Sequence, residues 1–238
     1  LEEALRERFP GRNITRIDSD STQRKGAMVE ALDQAKQGQA DILVGTQMLS
    51  KGHHFPKLTL VGIVNADQGL FGTDFRSSER MAQSIVQVAG RAGREQRAGE
   101  VLIQTAFPEH LFWSTLISGG YERVAEEALV EREATHWPPF TRLALVRSAA
   151  HQRADAIGFL ELAQQALLAH CSETLRVLGP VDAPRARKAG RHRAQLLLQS
   201  SDRPTLHLAL RELRFALEQS PAARKVRWSI DVDPIELF

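Results

Sequence analysis

The chain is predicted to hold an α/β layer domain built on a parallel sheet, followed by a small α+β domain of plan β-α-β-β-α-β. Three observations carry this. Two near-continuous apolar runs, "ADILVGT" and "LTLVGIVNAD", flank a polar segment with glycines, the pattern of strands in a parallel sheet covered on both faces. The second half alternates strand-like and helix-like patterns in the order of the ferredoxin-like, split βαβ arrangement. Between the halves, "HWPPF" with Pro138 and Pro139 is the strongest break in the chain. The expected domains are therefore 1–136 and 137–238.

The elements follow in order. "LEEALRERF" carries apolar residues at 1, 5 and 9 and is closed by Pro10 and Gly11, which reads as a helix. "NITRID" is a short strand. "DSDST" offers N-caps to a helix with Met28, Ala31, Leu32 and Ala35 on one face. The two apolar strands come next, then a helix over "SERMAQSIVQVAG" and a strand over "GEVLIQT". "PEHLFWSTLISGGYERVAEEALVERE" gives two helices broken at Gly119 and Gly120. Beyond the prolines, "TRLALVRS" is a strand. A helix follows with Ile157, Leu160, Ala163 and Leu167 in register. "TLRVLGP" and "AQLLLQ" are strands, and Leu206, Leu210, Leu213 and Leu217 line a second helix. "KVRWSIDVD" alternates strictly, as a half-buried strand does.

Composition is globular, 42% hydrophobic and 25% charged over 238 residues with a net charge of +2. Charge is uneven: residues 1–134 hold 16 Lys/Arg against 19 Asp/Glu, and residues 135–238 hold 15 against 10. The basic bias of the second half points to an anionic partner. A single cysteine, Cys171, excludes an internal disulfide and a cysteine-based zinc site, and suits a reducing, cytoplasmic setting. No apolar run approaches the ~20 residues that span a bilayer, so no membrane association is expected. The opening Leu1, already inside a helical pattern, suggests a piece of a longer polypeptide.

Three stretches can carry chemistry. In "QVAGRAGREQRAGE", Gly90 and Gly93 permit close backbone approach, and Arg91 and Arg94 offer planar, always-charged forks suited to phosphate oxygens. Spacing alone leaves open a solvated basic turn. "GTQMLSKGHHFP" follows a strand at its carboxyl end, where open α/β sheets bind ligands. There Thr46, Gln47, Ser50 and Lys51 supply donors for phosphate, and Gly45 and Gly52 let the chain come close. No G-x-x-x-x-G-K-[ST] loop occurs, so these residues do not build a complete nucleotide site. His53 and His54 lack partners at metal-ligand spacing and read as polar loop residues. Asp67, Asp74, Arg76 and Arg80 read first as braces between loops, with ligand contact as the alternative. The third stretch, "PRARKAGRHR", places Arg185, Arg187, Lys188, Arg191 and Arg193 in a loop between two strands. It suits phosphate-backbone contact, which would steepen salt dependence without reading bases, and a solubilising loop is the alternative.

Taken together, Gln87-x-x-Gly90-Arg91-x-Gly93-Arg94 resembles the sixth motif of superfamily 2 helicases, and "ILVGTQMLSKGHHFP" resembles the fifth. Their combination with "TLVGIVNAD", "DFRSSER", "VLGPVDAPRARKAGRHRAQLLLQ" and "KVRWSIDVDPIE" resembles the bacterial primosomal replication-restart helicases, the PriA family, over essentially the whole chain. The resemblance implies a partial RecA-like second helicase lobe followed by a C-terminal domain binding DNA and partners. It implies a 3′→5′ DNA helicase driven by ATP and Mg2+, acting at abandoned replication forks. The Walker A lobe and the Zn2+ ligands of such proteins would lie outside this chain, and the fragment alone is expected to be inactive.

On this resemblance Arg94, with Arg91 and Gln87, would sense ATP held by another lobe. Gly45, Thr46, Gly52, Gly90 and Gly93 would line the nucleotide cleft. Gln47 and Lys51 would couple it to DNA. The basic stretch would bind branched and single-stranded DNA, and Arg203 would help hold the acidic tail of single-strand DNA-binding protein, alongside other primosome proteins. His192 and Ala194 stand where relatives carry aromatics, so phosphate contact rather than base stacking is expected there. A second reading is a non-catalytic DNA- and protein-binding module with vestigial motor motifs. A third is a related branch-migration translocase, which has no reason to carry the βαββαβ tail.

Overall fold

Short parallel strands and the helices between them build the first half. The computed structural model describes residues 1–17, 27–45, 55, 57–90, 99–168 and 173–237. In chain order the elements are α1 (Glu2–Arg8), β1 (Ile14–Ile17), α2 (Ala27–Lys36), β2 (Ile42–Gly45), β3 (Leu60–Ile63), α3 (Asp67–Leu70), α4 (Ser77–Ala89), β4 (Glu100–Ile103) and α5 (Leu111–Ala134). β1 runs parallel to β2, from Ile14 opposite Ile42 to Ile17 opposite Gly45. β3 runs parallel to β4, from Leu60 opposite Glu100 to Ile63 opposite Ile103.

The pairing is parallel, as the apolar runs predict, but the strands are less enclosed than those runs imply. No residue of β2 is buried, and in β3 only Val61 is. One side of each pair packs inward. Ile17 and Leu32 meet Phe55, and Ala82 and Ile85 of α4 meet Phe112, Trp113 and Leu116 of α5. Leu60 and Leu102, on the opposite face of the second pair, are each about half exposed. Among the described residues no ladder joins β2 to β3, so two parallel pairs stand where a continuous sheet was expected.

α5 runs through the predicted glycine break. Gly120 sits at φ 67, ψ −162, inside an otherwise helical stretch. That conformation is open almost only to glycine, so the residue separates two helical segments.

The second half is β5 (Arg142–Ala150), α6 (Arg153–Leu167), β6 (Leu175–Lys188), β7 (Arg191–Ser200), α7 (Arg203–Gln219), a 3-10 turn (Pro221–Arg224) and β8 (Arg227–Val232). The strands form one antiparallel sheet in the order β6-β7-β5-β8. This is the split βαβ plan. The residues that aligned in sequence make the core: Leu160, Ala163 and Leu167 of α6, and Leu206, Leu210, Leu213 and Leu217 of α7. They pack on Ala144, Val146, Leu196 and Leu198 of the central strands. Asp202 caps α7, its Oδ1 accepting from the Thr205 N–H at 2.8 Å, and Pro204 sits in the first turn where it costs no hydrogen bond.

The sheet's other face is sealed over only part of its length. Leu143 and Leu145 are buried on the side away from the helices. From that side Gln199 donates to the His136 carbonyl. Arg147 donates to Asp231 Oδ2 at 2.7 Å and to the Glu236 carbonyl at 2.6 Å. The Asp233 N–H donates to the Leu143 carbonyl at 2.9 Å. A turn and the C-terminal segment thereby lie against the sheet as far as Arg147.

Compact packing divides the chain inside α5. One unit is Leu1–Gly72 with Arg76–Glu126, and the other is Thr73–Phe75 with Glu127–Phe238. The Pro138–Pro139 turn expected at the boundary lies within the second unit. There Phe75 stacks on Trp137 with ring centres 4.9 Å apart and planes 14° from parallel, and the Arg132 guanidinium sits 4.8 Å from the centre of the Phe75 ring.

Gly120→Ala is expected to destabilise the first unit by about 1–3 kcal/mol, because alanine must adopt a backbone conformation it strongly disfavours. A denaturant melt of the 238-residue chain, followed by Trp113 fluorescence, measures it. A stability equal to wild type would contradict the assigned backbone geometry.

Candidate functional site

The nucleotide-facing expectations converge on two ends of elements in the first unit. β2 terminates at Gly45, the carboxyl end of a parallel strand. α4 buries Ala82 and Ile85 and leaves Gln87 exposed in its last turn, where the Gly90 N–H closes the helix on the Val86 carbonyl at 2.9 Å. Gly90 itself has φ −64, a helical value that any residue adopts. Thr46, Gln47, Ser50, Lys51, Gly52, Arg91, Gly93 and Arg94 lie outside the described residues, as do His53, His54 and Cys171.

The acidic members of the following stretch have structural partners. Asp67 accepts from the Thr105 hydroxyl through one oxygen and from the Ala106 N–H, at 2.9 Å, through the other. It braces the start of α3 against the end of β4. Asp74, within the second unit, accepts from the Leu237 N–H at 3.3 Å. No group of three His, Cys, Asp or Glu side chains gathers as a metal site among the described residues.

In the second unit the structure changes the reading of the basic stretch. Residues 184–193 are not a loop: β6 continues to Lys188 and β7 begins at Arg191, leaving only Ala189 and Gly190 between them. Both have positive φ, 49 and 74, the signature of a type I′ hairpin. Proline, glycine and dense charge mimic loop composition, yet a hairpin tip needs only its ladder and no core. Lys188 stands opposite Arg191 and Arg187 opposite His192, and an irregular register separates this tip from Asp182 opposite Ala194.

The pleat sorts these cations. Ala194 is a buried member of the core on the helix side. Arg191 and Arg193 alternate with it onto the other face. An aromatic at position 194 would therefore pack inward. Arg185, Arg187, Lys188, Arg191 and Arg193 have no side-chain hydrogen bond or ion pair among the described residues. The nearby carboxylate is already engaged: Asp182 accepts from Arg153 at 2.6–3.1 Å through both oxygens. That hydrogen bonding, opposed by some desolvation and aided by the charges of Arg153 and His192, holds its pKa below the ordinary aspartate value.

A further basic group escaped the sequence reading. Arg224, Lys225 and Arg227 are exposed, without side-chain partners among the described residues. The antiparallel pairing of β8 with β5 brings Arg227 opposite Ala149, which itself stands opposite Arg193. The signal in sequence was the short run "RKVR", but only topology sets it beside the hairpin. Arg203 opens α7 with an exposed side chain, its guanidinium 3.8 Å from Asp233. Among the described residues no helix is long and apolar enough to cross a membrane.

Comparison with known proteins is consistent along the chain. The family model "Helicase conserved C-terminal domain" matches residues 1–96, and "Primosomal protein N C-terminal domain" matches residues 133–235. The chain is 46% identical over its whole length to replication restart protein PriA of Haemophilus influenzae. It is 36% identical over 98% of its length to that of Bacillus subtilis, and 38% identical over 99% to that of Synechocystis. It covers 32%, 29% and 28% of those relatives, about a third of their length or less.

Asparagine adopts positive φ more readily than alanine, and Asn-Gly is the preferred type I′ pair. Ala189→Asn is expected to favour the closed hairpin by about 1 kcal/mol, roughly fivefold in its opening equilibrium. Amide hydrogen exchange at Lys188 and Arg191 reads this directly, and unchanged or faster exchange would count against the turn.

Proposed function

Because this chain belongs to the PriA family of replication restart proteins, as a C-terminal portion, we propose that it completes the motor of an ATP-dependent 3′→5′ DNA helicase and carries part of its grip on DNA. The helicase would recognise stalled or abandoned forks in the cytoplasm and begin primosome assembly. The observation that carries this reading is the exposed Gln87 in the last turn of α4, directly ahead of the run Gly90-Arg91-x-Gly93-Arg94. A neutral amide and two guanidinia in sequence are donors matched to phosphoryl oxygens.

ATP with Mg2+ would supply the phosphoryl group that is hydrolysed. Arg94, with Arg91, would stabilise the charge that develops on it, and Gln87 would orient the neighbouring groups. Gly45, Thr46, Gly52, Gly90 and Gly93 would form the near wall of the cleft. Gln47 and Lys51 would pass the nucleotide state to the DNA.

In the second domain, proposed to span residues 137–238, the hairpin cations would contact phosphates of branched or single-stranded DNA. Arginines without side-chain partners among the described residues, at and beside a two-residue turn, support this role. Arg203, exposed at the start of α7 and only loosely paired, would be available to an acidic tail such as that of single-strand DNA-binding protein.

Two substitutions in the full-length protein test the reading. Arg94→Ala is expected to lower ATP turnover by roughly 10³-fold or more while sparing DNA affinity. Arg191→Ala is expected to weaken DNA binding and reduce its salt slope by about 0.7–0.9. Near wild-type turnover in the first variant, or DNA-stimulated ATP hydrolysis by the 238-residue chain alone, would overturn the motor assignment.

A further inference from the structure

We propose that the hairpin and the start of β8 form one continuous surface that holds the phosphodiester backbone of a DNA strand running across the end of the sheet. This rests on the reading that the hairpin contacts DNA, and extends it to residues at the opposite edge of the sheet. The sheet order puts the hairpin strands at one side and β8 at the other, with β5 between β7 and β8. In the last row that crosses all three strands toward the hairpin, Arg193 of β7, Ala149 of β5 and Arg227 of β8 are direct neighbours.

All three belong to the face on which, among the described residues, the C-terminal segment is bonded to the sheet as far as Arg147. Two arginines thus flank an alanine, their backbones about 10 Å apart at two strand spacings. No long side chain from the central strand intervenes. Arg224 and Lys225 add exposed charge in the turn that leads into β8, and Arg191 lies at the hairpin turn on the same face as Arg193.

The electrostatics favour a polyanion. Two carboxylates on neighbouring strands are already committed, Asp182 to Arg153 and Asp231 to Arg147. The cations of the row have no partners among the described residues. A line of guanidinia crossing three strands, with only alanine between them, offers charge at intervals and no apolar pocket. A phosphate backbone needs just that, because its contacts position the strand without reading bases. An acidic peptide would draw most of its affinity from an apolar or aromatic anchor, which this row lacks.

The test uses the 238-residue chain and a fluorescently labelled single-stranded oligonucleotide, with binding measured by anisotropy over a salt series. Replacing Arg224, Lys225 and Arg227 together by alanine is expected to lower the slope of log K against log[salt] by about 2, at roughly 0.7 per lost contact. The loss should be the same for different base sequences. The double variant Arg191→Ala, Arg193→Ala should lower the slope by about 1.4. Arg224→Lys with Arg227→Lys, which keeps the charge, should retain most of the wild-type slope and so separates lost charge from lost fold.

If the hairpin variant loses slope and the β8 triple variant does not, the continuous surface is refuted and the hairpin contact survives. If neither variant changes the slope, both readings fall. A triple variant that binds DNA normally but no longer binds polyglutamate would assign the β8 cluster to an acidic protein segment and overturn the proposal.

Discussion

Residues 143–146 of β5 are buried on both sides of the sheet, and the second unit is arranged around that requirement. Ala144 and Val146 face α6 and α7, while Leu143 and Leu145 face the opposite way and need cover of their own. Two helices complete the first task. The second falls to backbone: the His136 carbonyl, the Glu236 carbonyl and the Asp233 N–H each meet a group of the sheet. Among the described residues the last such bond is at Arg147, whose guanidinium donates to the Glu236 carbonyl. What lies beyond is polar and positively charged because nothing apolar there has to be hidden.

Burial and charge are therefore divided along the strands. Toward the β7–α7 end the row is leucine and glutamine under a lid. Toward the hairpin it is half-buried or exposed arginine without side-chain partners among the described residues. The same pleat that hides Ala194 turns Arg193 outward, so one alternation serves packing and recognition together. The first unit separates its roles differently: Ala82 and Ile85 fix α4 against α5, which leaves its last turn, with Gln87, exposed.

Periodicity made much of this legible. The leucines of α6 and α7 repeat at helical spacing and do form the core, and the strict alternation of β8 sorts Trp228 and Ile230 from Arg227 and Ser229. The glycine break in α5 was readable because glycine marks conformations closed to other residues. Two features were not readable from local pattern. The hairpin has the composition of a loop, since residues 184–190 are exposed and leave no apolar signature. The kinship of Arg193 and Arg227 arises from a strand order that joins residues far apart in the chain. The apolar runs of β2 and β3 overstated burial because an apolar strand records a capacity to be covered and not the cover itself.

The short passage of Thr73–Phe75 through the second unit makes that unit discontinuous in sequence. Phe75 leaves the ribosome well before Trp137, so the aromatic stack cannot close until the intervening helices and β4 have been synthesised. A protease cutting once between Glu126 and Glu127 would likewise leave the C-terminal piece without a covalent link to the ring that stacks on Trp137. The second unit is thus completed by a visitor from the other half of the polypeptide, and its integrity reports on a stretch of chain that its own linear boundaries do not contain.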